Sequence, residues 1–475
     1  MAVKVDTQKE IIFGSSDPNI SRVLSKKEKD GELRKLAPRI YTTNLIDSPE
    51  NIVRRNLIEI LAYRYPNALI SHRSAKEMRP TSTGDFFLTN STTRRVANLP
   101  GIILNFIKGP KATANDIPFM GLHISGEHRY MLENMQLSRK SGDESRVLPI
   151  AVIENKLEQL LLTGGEKRLN QYRDELRDIA NELGMTDEFS KINNIISALL
   201  STHDAKVLST DSAKARAAGN PFDANRVELF EILFDTIKDR YFVIRNNRNT
   251  DEDSFRLFSF FESYFSNYIE GTEFDIEEAK EIVDSGIPMP RRDEDSHDIL
   301  GTFKILSNRA EMMRVPTSPE ELFAILSHRH TILLEGRPHM NPGVFKMRNN
   351  RAGQTEFVDY QLVKGTLSQG FKYYSALTDP FARAIFMMFM ISEVHPFNDG
   401  NGRIARVMMN AEFVRADQSR IIVPTVFRED YILALRKLTR HKDPMAYINV
   451  MTKLHQFSDN LYGTDFTELK NYLAA

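Results

Sequence analysis

The sequence predicts a multi-domain protein: a mainly α-helical C-terminal core with one β-hairpin, preceded by a mixed α/β region. Three observations predict it. The chain has 475 residues, more than one hydrophobic core usually serves. Near residue 151 its texture changes. Short apolar runs between Gly, Pro and Thr turns give way to apolar residues at three- and four-residue intervals. Within the helical part, NPGVFKMRNNRAGQTEFV at 342–358 breaks that spacing with Gly, Asn and Thr turns.

Composition narrows the class. An apolar share of 41% and a charged share of 27% suit a soluble globular chain. Lys and Arg number 63 against 64 Asp and Glu, so a nucleic acid or membrane partner would need a local patch. The absence of Cys excludes disulfides, thiolate catalysis and cysteine-ligated zinc. The most apolar stretch, AIFMMFMISEV at 384–394, is too short to span a bilayer and reads as a buried helix. MAVKVDTQKE at the N-terminus lacks the apolar segment of a signal peptide. The expectation is a cytoplasmic protein with no membrane partner.

The first expected domain is 1–150, with strands such as FFLT and IPFM. Residues 18–41, PNISRVLSKKEKDGELRKLAPRIY, pair a helical pattern with a Gly turn and a strand-like return. They carry Arg22, Lys26, Lys27, Lys29, Arg34, Lys35 and Arg39 against three acids. A helix followed by a basic hairpin suits winged-helix DNA binding; a solvated basic face is the competing reading. Ser71 and His72, in SHRSA, are adjacent, but nothing supplies a third catalytic partner.

The second expected domain, 151–250, is helical. VIENKLEQLLL, KRLNQYRDELRDIANELG and NPFDANRVELFEILFDTIKDRYF carry the helical spacing. RNNRNTDED (245–253) and DSGIPMPRRDEDSH (284–297) read as loops. The third expected domain is 251–460, where helical patterns dominate from 318 to about 455 around the hairpin.

The chemistry concentrates in HPFNDGNGRIAR, 395–406. A helix ending in ISEVH and another starting near Gly402 would place FNDGNG at a helix N-terminus, where unpaired N–H groups and a partial positive charge favour phosphate. Gly400 and Gly402 let an anion approach the backbone closely. Arg403 and Arg406, three apart, share a face, and their forks suit phosphate oxygens. Asp399 is the loop's carboxylate, and magnesium needs only one or two beside substrate phosphates. His395 is a base suited to neutral pH. Phe397 anchors the loop inward.

HPFNDGNGRIAR matches, at every fixed position, the signature of the Fic family (filamentation induced by cAMP), and the wider resemblance covers roughly 255–455. It implies a Fic core with a β-hairpin flap. It implies a protein adenylyltransferase that moves AMP from ATP, with Mg2+, onto a Ser, Thr or Tyr hydroxyl of a protein, self included. In that reading His395 is the catalytic base and Asp399 the metal ligand. The nucleotide is held by Phe397, Asn398, Asp399, Gly400, Asn401, Gly402, Arg403 and Arg406. Gly400, Asn401 and Gly402 cradle the α- and β-phosphates; Arg403 holds the β-phosphate side and Arg406 the γ-phosphate. The hairpin resembles the family's flap, with Lys346 where many relatives carry Arg, and would align the target by strand addition.

Upstream, SNYIEG at 266–271 resembles the inhibitory motif of those Fic proteins that carry an autoinhibitory helix, here expected at about 255–271. Ser266 and Glu270 lie on one helix face, Gly271 ends the helix, and Glu270 would pair with Arg406. Asp275 and Glu278 start the next helix as a capping box. TILLEG, 331–336, fits the same expression, but Glu335 lies just ahead of the hairpin, where the core belongs.

In the N-terminal third, GELRKLAPRIYTTNL, ALISHRSA and GDFFLTNSTTRRVANLPG resemble abortive-infection antitoxin regulators. That resemblance implies a bacterial, winged-helix DNA binder. Two alternatives to the adenylyltransferase stay open. One is a DNA-binding regulator of toxin–antitoxin type whose Fic core senses nucleotide. The other is a Fic enzyme with another donor or with de-AMPylating activity. DNA and a second copy of the chain, as a homodimer, are the further partners admitted.

Overall fold

A computed structural model describes residues 9–90, 95–200, 205–272, 274–290, 292–353 and 355–474. The chain forms two compact units, residues 1–217 and 218–475.

The first unit opens with β1 (Ile11–Phe13), α1 (Pro18–Lys29), β2 (Arg34–Ala37) and β3 (Ile40–Thr42). Asp17 caps α1, accepting from Asn19 N, and Pro18 occupies its first turn. The strands form an antiparallel sheet in the order β1-β3-β2, with an irregularity between Lys35 and Ala37. Helix followed by basic hairpin is thus present, and Leu24, Leu33 and Tyr41 pack between them.

Next come α2 (Pro49–Arg55), α3 (Leu57–Arg64), β4 (Leu69–Ile70), α4 (His72–Glu77), β5 (Asp85–Asn90), β6 (Arg95–Leu99), β7 (Ile102–Lys108), β8 (Ile117–Phe119), β9 (Leu122–Ile124) and α5 (Glu127–Glu133). The six strands pair in the order β6-β7-β5-β4-β9-β8. β5 lies parallel to β7 and β4 parallel to β9; the other pairs are antiparallel. α6 (Ile150–Leu183), α7 (Thr186–Leu199) and α8 (Asp211–Ala217) complete the unit around Leu157, Tyr172, Leu176 and Ile196. Gly165, at φ 67°, interrupts the helical backbone of α6.

The second unit is helical: α9 (Ala224–Ile237), α10 (Glu252–Ile269), α11 (Ile276–Ser285), α12 (Asp293–Leu306), α13 (Arg309–Met312), α14 (Pro319–Leu333), α15 (Val363–Ala376), α16 (Pro380–Val394), α17 (Asn401–Arg415), α18 (Arg428–His441), α19 (Pro444–Ser458) and α20 (Phe466–Ala474). Strands β10 (Arg351–Ala352) and β11 (Thr355–Glu356) form the hairpin. The loop expected over 284–297 ends early, because α12 begins at Asp293. Asp293, Glu294 and Asp295 fill its first turn, where acidic groups favour a helix start. α16 is buried along nearly its whole length, as its apolar run requires. Among the described residues no helix is long and apolar enough to cross a membrane.

Candidate active site

The site begins where α16 stops. His395 closes that helix in the left-handed region, φ 52° and ψ 60°, with its N–H on Ile391 O at 2.9 Å. Pro396 follows and cannot continue the helix. The chain then turns through 396–400, Gly400 takes φ 70°, and α17 starts at Asn401. A side-chain clamp holds the turn. Asn401 Oδ1 accepts from Phe397 N at 2.8 Å, and Asn401 Nδ2 donates to Phe397 O at 2.9 Å. The Phe397 ring is fully buried, stacked on His330 at 3.7 Å and tilted against Phe345 at 5.2 Å. Phe397 and Asn401 thus spend their side chains on the shape of the loop.

His330, on α14, is the loop's second support. Its Nδ1 accepts from Gly343 N at 2.8 Å, so the proton sits on Nε2, which donates to the Asp399 carbonyl at 3.0 Å. Burial pushes this imidazole down to about 4 and keeps it neutral. The Asn398 side chain is exposed and donates to Met340 O at 3.3 Å. The Asp399 carboxylate is half-exposed, with Oδ2 3.5 Å from Arg403 Nη2 and 3.9 Å from Arg337 Nη1.

His395 is half-buried, its ring stacked on Phe357 at 3.5 Å with an interplanar angle of 5°. Its Nδ1 lies 3.1 Å from Ser392 O. A carbonyl only accepts, so Nδ1 carries the hydrogen and Nε2 keeps a lone pair. Burial, aided by the nearby Lys346 ammonium, holds the ring down to about 4.

Lys346 is itself 3% exposed, and burial lowers it to about 8. Its Nζ donates to Asn350 Oδ1 at 2.7 Å and to Val394 O at 3.4 Å, and its backbone N to Pro396 O at 2.8 Å. Asn350 Nδ2 reaches Phe397 O at 2.9 Å. The root of the hairpin is therefore sewn to the 394–397 segment. Arg226 of α9 steadies the far strand, donating to Glu356 O at 2.7 Å.

Two arginines of α17, Arg403 and Arg406, reach α10 and α12. Arg406, buried, donates from Nε to Ser266 Oγ at 3.0 Å and from Nη2 to Ser266 O at 2.8 Å. Its Nη2 lies 2.6 Å from Glu270 Oε1. Burial opposes the charge on Arg406, but Glu270 and Tyr431 beside it raise its pKa further. Arg403 pairs with Asp298 at 2.7 Å and reaches Asn267 Oδ1 at 3.3 Å; Asp298 also holds Arg337 at 2.6 Å. Gly271, at φ 96°, follows Glu270 as the chain leaves α10.

α10 is part of the core. Phe258, Phe261 and Phe265 are buried in it. Glu262 is ion-paired with Arg420 at 2.9 Å and accepts from Asn410 Nδ2 at 2.7 Å. Arg428 donates to Ile269 O at 3.2 Å, a cation at the helix C-terminus. Glu335, the other Glu that fits the short expression, is exposed and pairs with Lys304 at 3.1 Å.

The fold therefore brings residues 395–406, Ser266 and Glu270 together. His330, Asp298, Asn267, Arg337 and Phe357 join them without having been singled out in the sequence. An i+3 or i+4 pattern marks none of these, because their partners come from other helices.

Residues 318–412 match the Fic/DOC family. Among curated proteins, the chain is similar to Protein adenylyltransferase Fic of Nematostella vectensis, 24% identical over 214 residues, which are 42% of this chain and 47% of that protein. It is also similar to Protein adenylyltransferase fic-1 of Caenorhabditis elegans, 40% identical over 62 residues, 13% of this chain and 12% of that protein. The chain thus spans about half of the first relative and about an eighth of the second. Among solved structures, Fic-1 (aa134 - 508) from C. elegans aligns with a TM-score of 0.36 at 16% identity, over 68% of this chain and 92% of that one. A Fic domain containing signaling protein from Bacteroides thetaiotaomicron aligns with a TM-score of 0.36 at 16% identity, over 50% and 96%.

Proposed function

From the premise that residues 318–412 carry a Fic/DOC domain, we propose that the protein transfers AMP from ATP to a Ser, Thr or Tyr hydroxyl of a protein, and that Glu270 restrains it. The observation that carries this reading is the state of His395. It is neutral, with Nδ1 satisfied by a carbonyl and Nε2 left to take a proton, one loop away from a helix N-terminus.

The attacking hydroxyl gives its proton to His395 Nε2 as its oxygen closes on the α-phosphorus and pyrophosphate leaves on the opposite side. The amides at the start of α17, before Ile404 makes the first bond back to Gly400 O, receive phosphate oxygens. Phe397 and Asn401 fix the loop from behind. Arg403 and Arg406 orient the rest of the triphosphate. That orientation decides which phosphorus faces His395, and so which group is transferred.

Magnesium fits the donor set. Asp399 offers a half-exposed carboxylate beside the helix end, and the described residues hold no cluster of three acidic or His side chains that would cage a metal. Magnesium takes its other ligands from phosphates and water, and when bound it neutralises phosphate charge. The hairpin offers its strand edge to the target segment, with Phe357 against His395. Glu270 occupies the Arg406 fork that the terminal phosphate needs.

The test is Glu270→Gly protein with ATP and magnesium, read by mass spectrometry. An AMP increment on a Ser, Thr or Tyr, absent when His395→Asn is added, is expected. Bound ATP without transfer to self or to any protein of a lysate would overturn the reading. A panel of other nucleotides and of AMP-modified protein tests the other donor and the reverse reaction.

A second reading rests on the first unit. α1 and the β2–β3 hairpin leave Arg22, Lys26, Lys29, Lys35 and Arg39 exposed, the charge a DNA backbone would meet. Operator binding that survives His395→Asn, with no AMP transfer by Glu270→Gly protein, would favour a nucleotide-sensing regulator.

A further inference from the structure

The first unit contains a cavity of about 460 Å³, within the size range of small-molecule sites, which AMP transfer does not use. Tyr65 and Phe106 meet edge to face in its wall at 4.8 Å. The Arg95 guanidinium lies over both rings, 5.0 and 4.5 Å from their centroids. A flat cation is thereby laid on an aromatic shelf with its N–H edges in solvent. Lys111 adds a second cation, and among the described residues no carboxylate lines the cavity. The charge calls for an anion.

Two buried polar atoms of the lining lack partners. The Thr89 hydroxyl, on a residue 7% exposed, finds no hydrogen-bond partner among the described residues, and neither does His123 Nδ1. Buried polar groups are nearly always paired, and leaving one unpaired costs about 1–3 kcal/mol. Both atoms are sealed from solvent within the wall, so they belong to its interior and not to its open surface.

The rim is built firmly. Buried Arg129 donates to Pro110 O at 2.6 Å and to Lys111 O at 2.9 Å, fixing the loop that carries Lys111. Asp116 at 2.8 Å and Glu133 at 2.9 Å neutralise it. Glu133 also accepts from His72 N at 2.9 Å. SHRSA thus serves a buried network behind the cavity wall.

We propose that this cavity binds a small organic anion with a flat ring. The ring stacks on the Arg95 plane, and the anionic group meets Lys111 and the edge of Arg95. A nucleoside monophosphate and an aromatic carboxylate share this chemistry.

The test titrates the full chain carrying Asp399→Asn and Arg406→Ala, which disables the proposed triphosphate site, with AMP, benzoate, adenosine and inorganic phosphate in calorimetry. Saturable binding of AMP or benzoate is expected, and which of the two binds names the source. Adenosine and phosphate should each bind about tenfold more weakly than the better ring anion, as expected for loss of one principal contact. Arg95→Met should weaken that ligand about fivefold or more. Lys111→Met, an exposed change that leaves the core intact, should do likewise. No saturable binding of either ring anion, or affinity unchanged in both variants, overturns the proposal; phosphate binding as tightly as AMP removes the ring from it.

Discussion

Glu270 stands in the space a side chain at Gly402 would fill. A Cβ on Gly402 would lie 2.1 Å from Glu270 Oε1, and that same oxygen is 2.6 Å from Arg406 Nη2. A carboxylate of the protein thus rests on the first turn of α17, where a phosphate would be drawn by the same unpaired amides and the same guanidinium. In the proposed reaction the two anions would compete for one place.

Removing the resident anion should therefore expose the site. A charge-assisted hydrogen bond is worth about 1.5–3 kcal/mol, so Glu270→Ala should tighten binding of a non-hydrolysable ATP analogue about tenfold or more. Calorimetry on the two proteins checks this. Equal affinities would mean that Glu270 does not contest the triphosphate site.

Ser266 should matter less. Ser266→Ala removes the 3.0 Å bond to Arg406 Nε but keeps the backbone contact to Nη2 and the Glu270 pair. One such bond contributes about 1 kcal/mol. The rate of AMP transfer should rise about fivefold, well short of Glu270→Gly. Incorporation of labelled AMP gives the ratio, and a release equal to that of Glu270→Gly would place the restraint on Ser266 instead.

His330→Phe separates stacking from hydrogen bonding. The replacement can keep the face against Phe397 but loses the bonds to Gly343 N and Asp399 O. With both partners left wanting, stability should fall by about 1–3 kcal/mol. In the Glu270→Gly background, kcat should fall more than the target's KM changes, because the disturbed residue is Asp399. Urea unfolding and steady-state rates read the two effects.

The buried histidines set an acid limit. His330 and His455 are both pushed down to about 4 by burial. Unfolded, each would protonate near pH 6.5. Between those values the unfolded chain holds the extra protons, so stability is complete above about pH 6.5. It falls as pH drops toward 4 and then levels off. The loss is on the order of 3 kcal/mol per ring. Urea midpoints at pH 7 and pH 4.5 should differ, and His455→Phe should shrink the difference.

The loop at 395–406 could be read from the sequence because its chemistry is local. One helix ends, a turn follows and the next helix starts within a dozen residues, so spacing alone fixes the geometry. Glu270 and Arg406 are 136 residues apart; nothing in SNYIEG names its partner, and only resemblance connected them. His330, Asp298 and Arg337 were silent because each acts through a contact between helices. The hairpin was visible as a break in helical spacing, yet among the described residues only 351–352 and 355–356 pair as strands. The earlier part of that stretch is bound to the 394–397 segment through Lys346 and Asn350. The acidic run at Asp293 carried a helix-start signal that its Pro- and Gly-rich neighbours masked. In the first unit individual strands were legible, but the parallel pairing of β5 with β7 depends on contacts the sequence does not display.

The conformation of His395 bears on how inactive protein is made. A non-glycine residue at φ 52° sits in a region that most side chains enter at a cost, Asn least among them. Alanine there would remove the imidazole and also draw the backbone out of the left-handed region, toward the extended conformation a residue before Pro396 prefers, shifting the anion turn. An inactive variant of that kind would report a distorted scaffold as though it were lost proton transfer, whereas asparagine keeps the bend while removing the imidazole and its stack on Phe357.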